Sequence, residues 1–289
     1  MNTWKIGIIG GSGLYQLDEL QNQKWVEVTT PWGKPSDAFL TGQISGIECV
    51  FLPRHGRGHL LGPSQLNYRA SIDALKRLGV TDLISISAVG SLCENMAPGD
   101  FVVVDQLIDR TFARNASFFG EGIVAHVSMA EPVCPRMSSR VAEAAEATGV
   151  KVHRKGTYLA IEGPQFSTQA ESLLYQQWGA DVIGMTAMPE AKLAREAELP
   201  YALVGMVTDY DCWRQGEAPV EISAVIAQLS ASADRGRDLL LQFAASFPAH
   251  REPSPYDHVL DYAVITEPSR RDPALTARLD AIIGRSGRP

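Results

Sequence analysis

The chain has 289 residues, of which 45% are hydrophobic and 20% are charged. This composition is ordinary for a globular protein, and the length is enough to bury a large core. The formal net charge is −7, from 33 acidic and 26 basic residues, and the basic residues form no long run. We therefore expect no nucleic-acid partner and no binding to an anionic membrane surface.

The cysteines exclude further classes of site. The sequence has 4 of them, far apart and without a CxxC pair. We therefore expect no zinc knuckle, no disulfide framework and no bound metal.

No stretch has the length and apolarity of a membrane span, and Met1 is followed by a strand pattern rather than a signal peptide. The sequence therefore predicts a cytoplasmic protein.

Strand patterns alternate with helix patterns along most of the chain. Short apolar runs predict strands, and apolar residues spaced three and four apart predict helices. The alternation predicts an α/β sandwich with a parallel or mixed central β-sheet flanked by helices. The predicted strands lie at 5–10, 25–29, 39–42, 47–52, 83–88, 101–107, 151–161, 180–185 and 201–207. The predicted helices lie at 64–78, 135–149, 170–178, 190–198, 220–243 and 272–285.

A glycine-rich turn follows the first predicted strand, with Ser12 inside the sequence GGSG at 10–13. Such a turn can offer backbone N–H groups and a hydroxyl to an anion. A plain tight turn is the alternative. The dinucleotide fingerprint fails, because Gln16 stands where its third glycine would fall. An oxidoreductase of the dinucleotide-binding class is therefore disfavoured.

Arg54 and His55 open a loop with two arginines and two histidines, directly after a predicted strand. A solvated basic loop is one interpretation. An arginine fork with a neighbouring histidine also suits the geometry of a phosphate, and ligands collect at the carboxyl ends of strands in open α/β sheets. The second interpretation is favoured, since the rest of the chain is acidic.

An acidic pair, Asp209 and Asp211, follows the buried strand predicted at 201–207. Burying a carboxylate costs several kcal/mol unless it is paired or protonated, so such a pair indicates a site. A helix cap or a solvated turn is the alternative. Other predicted strand ends carry small or hydroxylated residues, namely Ser87 with Ala88, and Thr186. We infer an oxyanion half-site beside an acidic half-site that meets a group rich in donors.

The last part of the sequence is rich in proline and polar residues. We predict one domain at 1–247 and a C-terminal extension at 248–289. The extension either packs on the outside of the domain or on a neighbouring subunit, or is partly disordered.

These motifs together resemble the trimeric purine nucleoside phosphorylases, in particular the branch that acts on 5'-methylthioadenosine. The resemblance covers about 5–243. Its matching segments are GIIGGSG at 7–13, RHGR at 54–57, PS at 63–64, NY at 67–68, GSL at 90–92, PGD at 98–100, IDRT at 108–111, MAEP at 129–132, IEGP at 161–164, GMT at 184–186 and TDYDCW at 208–213.

The resemblance implies a role for each matching residue. The residues expected to bind phosphate are Ser12, Arg54, His55, Ser87, Ala88 and Thr186. Those expected to bind the nucleoside are Met185 at the ribose and Phe166, Asp209 and Asp211 at the base, with Asp209 as the catalytic residue. Those expected to set specificity are Ser167 at the base and Val220, Ile222 and His126 at the 5' substituent, with His126 supplied by an adjacent subunit.

The resemblance also implies a fold, a reaction and an assembly. The fold is a single-domain phosphorylase/hydrolase-like sandwich. The reaction is phosphorolysis of methylthioadenosine to adenine and 5-methylthioribose 1-phosphate, with inorganic phosphate as co-substrate and no cofactor. The assembly is a homotrimer or a dimer of trimers. A hydrolase that uses water would share the pocket, but Arg54, Ser87 and Thr186 disfavour it. A nucleoside-binding protein without catalysis is disfavoured by the intact Asp209, Asp211 and Arg54.

Overall fold

Strands and helices alternate along the chain as predicted. The computed structural model describes residues 3–11, 14, 17–214 and 222–284. The strands in this part are β1 Lys5–Gly10, β2 Gln21–Val26, β3 Phe39–Ile44, β4 Ile47–Pro53, β5 Asp82–Ser91, β6 Phe101–Val103, β7 Gln106–Arg110, β8 Val152–His153, β9 Thr157–Ile161, β10 Val182–Gly184 and β11 Tyr201–Asp209. The α-helices are α1 Tyr68–Arg77, α2 Pro135–Ala147, α3 Gln169–Gln177, α4 Ala187–Glu196, α5 Ile222–Ala245, α6 Pro273–Arg278 and α7 Asp280–Ile283.

The described strands form one mixed sheet around β5. The main path runs β2-β3-β4-β1-β5-β10-β9-β7, and β11 joins β5 to β6, which in turn pairs with β8. Strand β5 is parallel to β1 and β11 and antiparallel to β10. Its first six residues are all buried, as a central strand with both faces covered requires. The predicted α/β sandwich with a mixed sheet is confirmed.

Local chemistry explains where the helices begin and end. Asn67 caps α1 by accepting a hydrogen bond from the backbone N–H of Ala70 at 3.1 Å, and Gly79 with φ of +80° follows the helix end. Thr168 and Glu171 form a reciprocal capping box at the start of α3.

Two predicted strands are each divided in two. The predictions of single strands at 101–107 and at 151–161 were wrong, because β6 pairs with β8 while β7 pairs with β9 in another part of the sheet. The break between β6 and β7 lies next to the break between β8 and β9. The backbone N–H of Asp105 donates to the Gly156 carbonyl at 3.1 Å, and the Gly156 N–H donates to an Asp105 carboxylate oxygen at 3.0 Å. Continuous apolar patterns cannot reveal such a division.

The C-terminal segment 248–284 packs on the core of its own chain. Leu260, Leu279 and Ile282 are at most 2% exposed and belong to the main apolar cluster. Arg251 pairs with the buried Asp82 at 2.6 Å. The predicted domain boundary at 247 is not tested by this packing and stays a prediction.

None of the helices in the described ranges combines the length and the apolarity that crossing a membrane would need.

Candidate active site

The predicted site residues gather at the carboxyl end of β5. In the parallel pair of β5 and β11, Ser87 lies opposite Gly205 and Ala88 lies opposite Met206. Asp209, at the end of β11, lies opposite Gly90 after a shift in register. Strand ends that were far apart in the sequence thus meet at one edge of the sheet, as in open α/β folds generally.

Strand β10 brings Thr186 to the same place. It runs antiparallel to β5, with Val182 opposite Ser91, so the residues after Gly184 return towards Ser87. The Thr186 backbone N–H donates to the Tyr158 hydroxyl at 3.3 Å. Thr186 also lies directly before α4, whose first turn is interrupted by the extended backbone of Met188 with φ of −116° and ψ of 134°.

The hydroxyl of Ser87 is a buried polar group at this edge. Its oxygen is buried near the Tyr158 hydroxyl but makes no hydrogen bond of normal geometry within the described residues. A buried polar group without a partner is costly, so it indicates a ligand that the site is built to receive. This orphaned hydroxyl supports the predicted oxyanion half-site.

Arg54 lies at this edge but is largely satisfied by its own chain. The side chain is 4% exposed, and its Nε pairs with Glu190 at 3.3 Å. Its Nη1 donates to the Ile86 carbonyl at 3.0 Å, and its Nη2 donates to Ser85 at 2.6 Å and to Ile9 at 3.3 Å. Of the five donors of a guanidinium, one Nη1 N–H remains without a hydrogen-bond partner among the described residues.

The imidazole of His55 is held in one tautomer. Its Nδ1 lies 2.8 Å from the Leu61 carbonyl, so Nδ1 carries the proton, and the ring stacks on His59 with centroids 4.2 Å apart. Burial, followed by the charge of Arg54, lowers the pKa of His55 to about 4. The ring is therefore neutral at pH 7.

Asp209 is a half-buried carboxyl at the end of β11. Its Oδ1 accepts from the Asp211 backbone N–H at 2.8 Å, and its Oδ2 accepts from the Thr208 hydroxyl at 2.7 Å. Burial raises the pKa of Asp209, and the charge of Asp211 adds to the rise. A raised pKa brings a carboxyl closer to serving as a proton donor.

Asp211 is 7% exposed and has a left-handed backbone with φ of +51°, unusual for a residue other than glycine. Its carboxylate accepts from Ser167 Oγ at 2.9 and 3.1 Å and from Ser172 Oγ. Burial raises the pKa of Asp211, and the two hydroxyls oppose the rise. Asp209 and Asp211 form one carboxylate cluster, and Ser167 is part of it.

The segments after β9 and β10 complete this edge. Phe166 keeps 45% of its side chain exposed. Met185 is held through its carbonyl by Arg114 Nη1 at 2.5 Å. The Arg114 side chain is 1% exposed and also pairs with Glu162 at 3.1 Å. Sequence reasoning missed the role of Arg114, because an arginine in a loop gave no periodic or spacing signal.

Other predicted residues do not join this cluster or cannot be placed. His126 is exposed, and its backbone N–H donates to the Ala263 carbonyl at 2.9 Å beside the C-terminal segment. Ser12 and Val220 lie outside the described residues, as does the side chain of Ile222. Within the described ranges, no three His, Cys, Asp or Glu side chains are grouped to hold a metal ion.

Comparisons with known proteins agree with this geometry. A sequence profile of the phosphorylase superfamily matches residues 5–245. The chain is 60% identical over 282 residues to S-methyl-5'-thioadenosine phosphorylase of Cereibacter sphaeroides, covering 97% of each chain. It is 55% identical over 282 residues to the protein of the same name from Bradyrhizobium diazoefficiens, again covering 97% of each.

Solved structures show the same likeness. A methylthioadenosine phosphorylase from an antarctic soil metagenomic library superposes with a TM-score of 0.92 at 46% identity, covering 98% of this chain and 99% of the other. Methylthioadenosine phosphorylase from Schistosoma mansoni in complex with adenine superposes with a TM-score of 0.80 at 41% identity, covering 83% and 91%. The chain belongs to the phosphorylase superfamily.

Proposed function

We propose that this chain catalyses phosphorolysis of S-methyl-5'-thioadenosine to adenine and 5-methylthioribose 1-phosphate, a step of purine and methionine salvage. The observation that carries the proposal is the high identity, over almost the whole chain, to curated relatives named for this substrate. The placement of an orphaned hydroxyl and a carboxylate cluster at one sheet edge supports it.

In this proposal, phosphate binds where β4, β5 and β10 end. The Ser87 hydroxyl, the Ala88 backbone and the Thr186 segment at the start of α4 would surround it, together with Ser12, Arg54 and His55. Glu190 already neutralises the Arg54 charge. The anion would therefore be held mainly by hydroxyls and backbone N–H groups, with the Nη1 donor of Arg54 that has no partner among the described residues contributing.

The proposed reaction breaks the glycosidic bond through an oxocarbenium-like transition state. Positive charge develops on the ribose while negative charge moves onto the departing purine. Bound phosphate stabilises the ribosyl cation and is positioned to attack it. Met185, whose carbonyl is fixed by Arg114, would lie against the ribose.

Asp209 would assist departure of the purine by donating a proton or hydrogen bond to N7. Burial and the neighbouring Asp211 charge raise the pKa of Asp209, as this role requires. A general acid of this kind contributes roughly 10²–10⁴-fold to the rate. Asp211 would remain ionised and accept from the 6-amino group, with Phe166 packed on the base.

The 5' substituent would lie towards Val220 and Ile222, and His126 of an adjacent subunit would complete that pocket. A homotrimer or a dimer of trimers, and a cytoplasmic location, belong to the proposal and stay predictions. So does the absence of a cofactor, with inorganic phosphate as the co-substrate.

The test is release of base from methylthioadenosine, methylthioinosine and adenosine, each with and without phosphate. We expect adenine release that depends on phosphate and is fastest from methylthioadenosine. Faster turnover of methylthioinosine would overturn the role of Asp211, while equal rates without phosphate would indicate a hydrolase and overturn the phosphate half-site.

A further inference from the structure

Ser172 lies behind the proposed base site and was not singled out by any motif. It is 0% exposed, one turn into α3. Its hydroxyl contacts an Asp211 carboxylate oxygen at hydrogen-bond distance. It also lies 3.0 Å from Ser167 Oγ and 3.1 Å from Cys212 Sγ, so it is the meeting point of a small buried polar network.

The protons of this network can be assigned. Cys212 donates its thiol proton to the Ser167 carbonyl at 3.2 Å. Ser172 has one proton, and the Thr168 carbonyl at 3.2 Å is a weaker acceptor than the closer carboxylate of Asp211. The Ser172 proton is therefore directed at Asp211.

The backbone of Asp211 makes this contact important. With φ of +51°, the residue is held in a conformation that L side chains rarely adopt. Its N–H is bound to Asp209, and its carboxylate is bound to the two serine hydroxyls. Of these partners, Ser172 is the fully buried one on a helix, so it provides the rigid support.

We propose that Ser172 is a positioning residue that sets base selectivity, because its hydroxyl keeps Asp211 ionised and oriented to accept from a 6-amino group and to reject a 6-oxo group. This inference rests on the proposed function and deepens it. Ser172 itself is not expected to touch the substrate.

The electrostatic surroundings of Asp211 leave this task to the hydroxyls. Among the described residues, the titratable groups that face it are Asp209, Glu171, Tyr175 and Cys212, none of which is positively charged, while Arg110 lies farther out beside Glu171 and Tyr175. Burial raises the pKa of Asp211, whereas Ser172 and then Ser167 lower it. Without Ser172, the pKa of Asp211 should therefore rise, and the carboxyl should protonate at a higher pH.

A protonated Asp211 would reverse the recognition. Its O–H can donate to the 6-oxo oxygen of a hypoxanthine base, whereas an ionised carboxylate would place an acceptor against an acceptor. Loss of Ser172 should thus weaken discrimination between the two bases without removing the catalytic Asp209.

The experiment measures kcat and KM of Ser172→Ala for methylthioadenosine and methylthioinosine between pH 5 and 9, with saturating phosphate. We expect the pH below which KM for methylthioadenosine rises to move up, and the amino-over-oxo selectivity at pH 7 to fall about ten-fold. Ser138→Ala is the matched control, since it also removes a buried helical hydroxyl, and should change neither quantity.

A purely structural role would lower both substrates' rates together and leave the selectivity and the pH profile unchanged, which would overturn the proposal. Wild-type behaviour of Ser172→Ala would overturn it as well. If the alanine variant does not fold, Ser172→Cys keeps the volume with a weaker donor, and the same shifts are expected. Adenine and hypoxanthine binding by calorimetry needs no turnover, so it tests Ser172 even if phosphorolysis itself fails.

Discussion

The two halves of the candidate site treat charge in opposite ways. At the acidic half, Asp209 and Asp211 lie close together and are bound by hydroxyl and N–H donors. At the phosphate half, the cation Arg54 is paired with Glu190, and His55 is neutral. The acidic half therefore gathers negative charge, whereas at the phosphate half the positive charge of Arg54 is neutralised by Glu190.

This difference teaches how each half can serve the proposed reaction. Concentrated negative charge in a buried place raises carboxyl pKa values, which a proton donor to N7 needs. A neutralised arginine leaves the anion to be held by fixed dipoles, which need no reorganisation when charge shifts during the reaction. The halves therefore differ in which substitutions they should tolerate.

The largest effect is expected at the acidic half. Asp209→Ala should lower kcat/KM for methylthioadenosine by roughly 10²–10⁴-fold, because it removes the proposed donor to N7. Steady-state kinetics check this, with Asp234→Ala on the surface of α5 as control, since Asp234 is 81% exposed. A variant that kept most of the wild-type kcat/KM would remove Asp209 from the mechanism.

The buried pair at the phosphate half should matter most for stability. Glu190→Ala leaves the Arg54 charge buried and unpaired, and should lower the free energy of unfolding by about 3–5 kcal/mol. Glu48→Ala removes the partner of Lys5 in an exposed pair and should cost at most about 1 kcal/mol. Urea denaturation measures the free energy of unfolding of both variants, and equal losses would contradict the comparison.

Ser87→Ala should separate binding from stability. The orphaned hydroxyl makes no hydrogen bond of normal geometry with the described residues, so its loss should leave the unfolding free energy unchanged or slightly raised. The KM for phosphate should rise about ten-fold, because one hydrogen bond to the anion is lost. An unchanged phosphate KM would exclude Ser87 from the half-site.

A pH-dependent effect concerns the neutral histidine. Because the pKa of His55 is lowered from 6.5 to about 4 in the folded chain, the unfolded chain binds more protons between those values. The resulting contribution to stability is present above pH 6.5 and is lost as pH falls through 6.5 to 4. NMR titration of the His55 ring should give a pKa near 4, and His55→Asn should lack this loss. An NMR titration midpoint near pH 6.5 would contradict the lowered pKa of His55.

Sequence patterns located the strand ends that form the site but not the partners behind them. Arg54, Ser87, Thr186 and the acidic pair follow apolar runs, and that local signal is enough to place them at one edge of an α/β sheet. The partner of Arg54 could not be predicted, because Glu190 lies 136 positions away and tertiary packing alone brings them together.

The same limit explains Ser172 and the divided strands. Ser172 has an ordinary place on a helix, and only the docking of α3 against the end of β11 gives its hydroxyl a carboxylate to bind. The breaks near Asp105 and Gly156 depend on mutual pairing, whereas an apolar run reports burial alone. Sequence patterns thus predict which residues are buried or lie at strand ends, and long-range contacts decide their chemistry.

The burial of Leu260, Leu279 and Ile282 in the main core has a consequence for biosynthesis. Chains fold from the N-terminus as they are made, but this core lacks side chains until the segment 248–284 has left the ribosome. The sheet can assemble earlier, while the apolar surface meant for these residues stays uncovered. Final packing of the core therefore waits until this segment has been made, and truncation before 260 should yield a chain that chaperones retain.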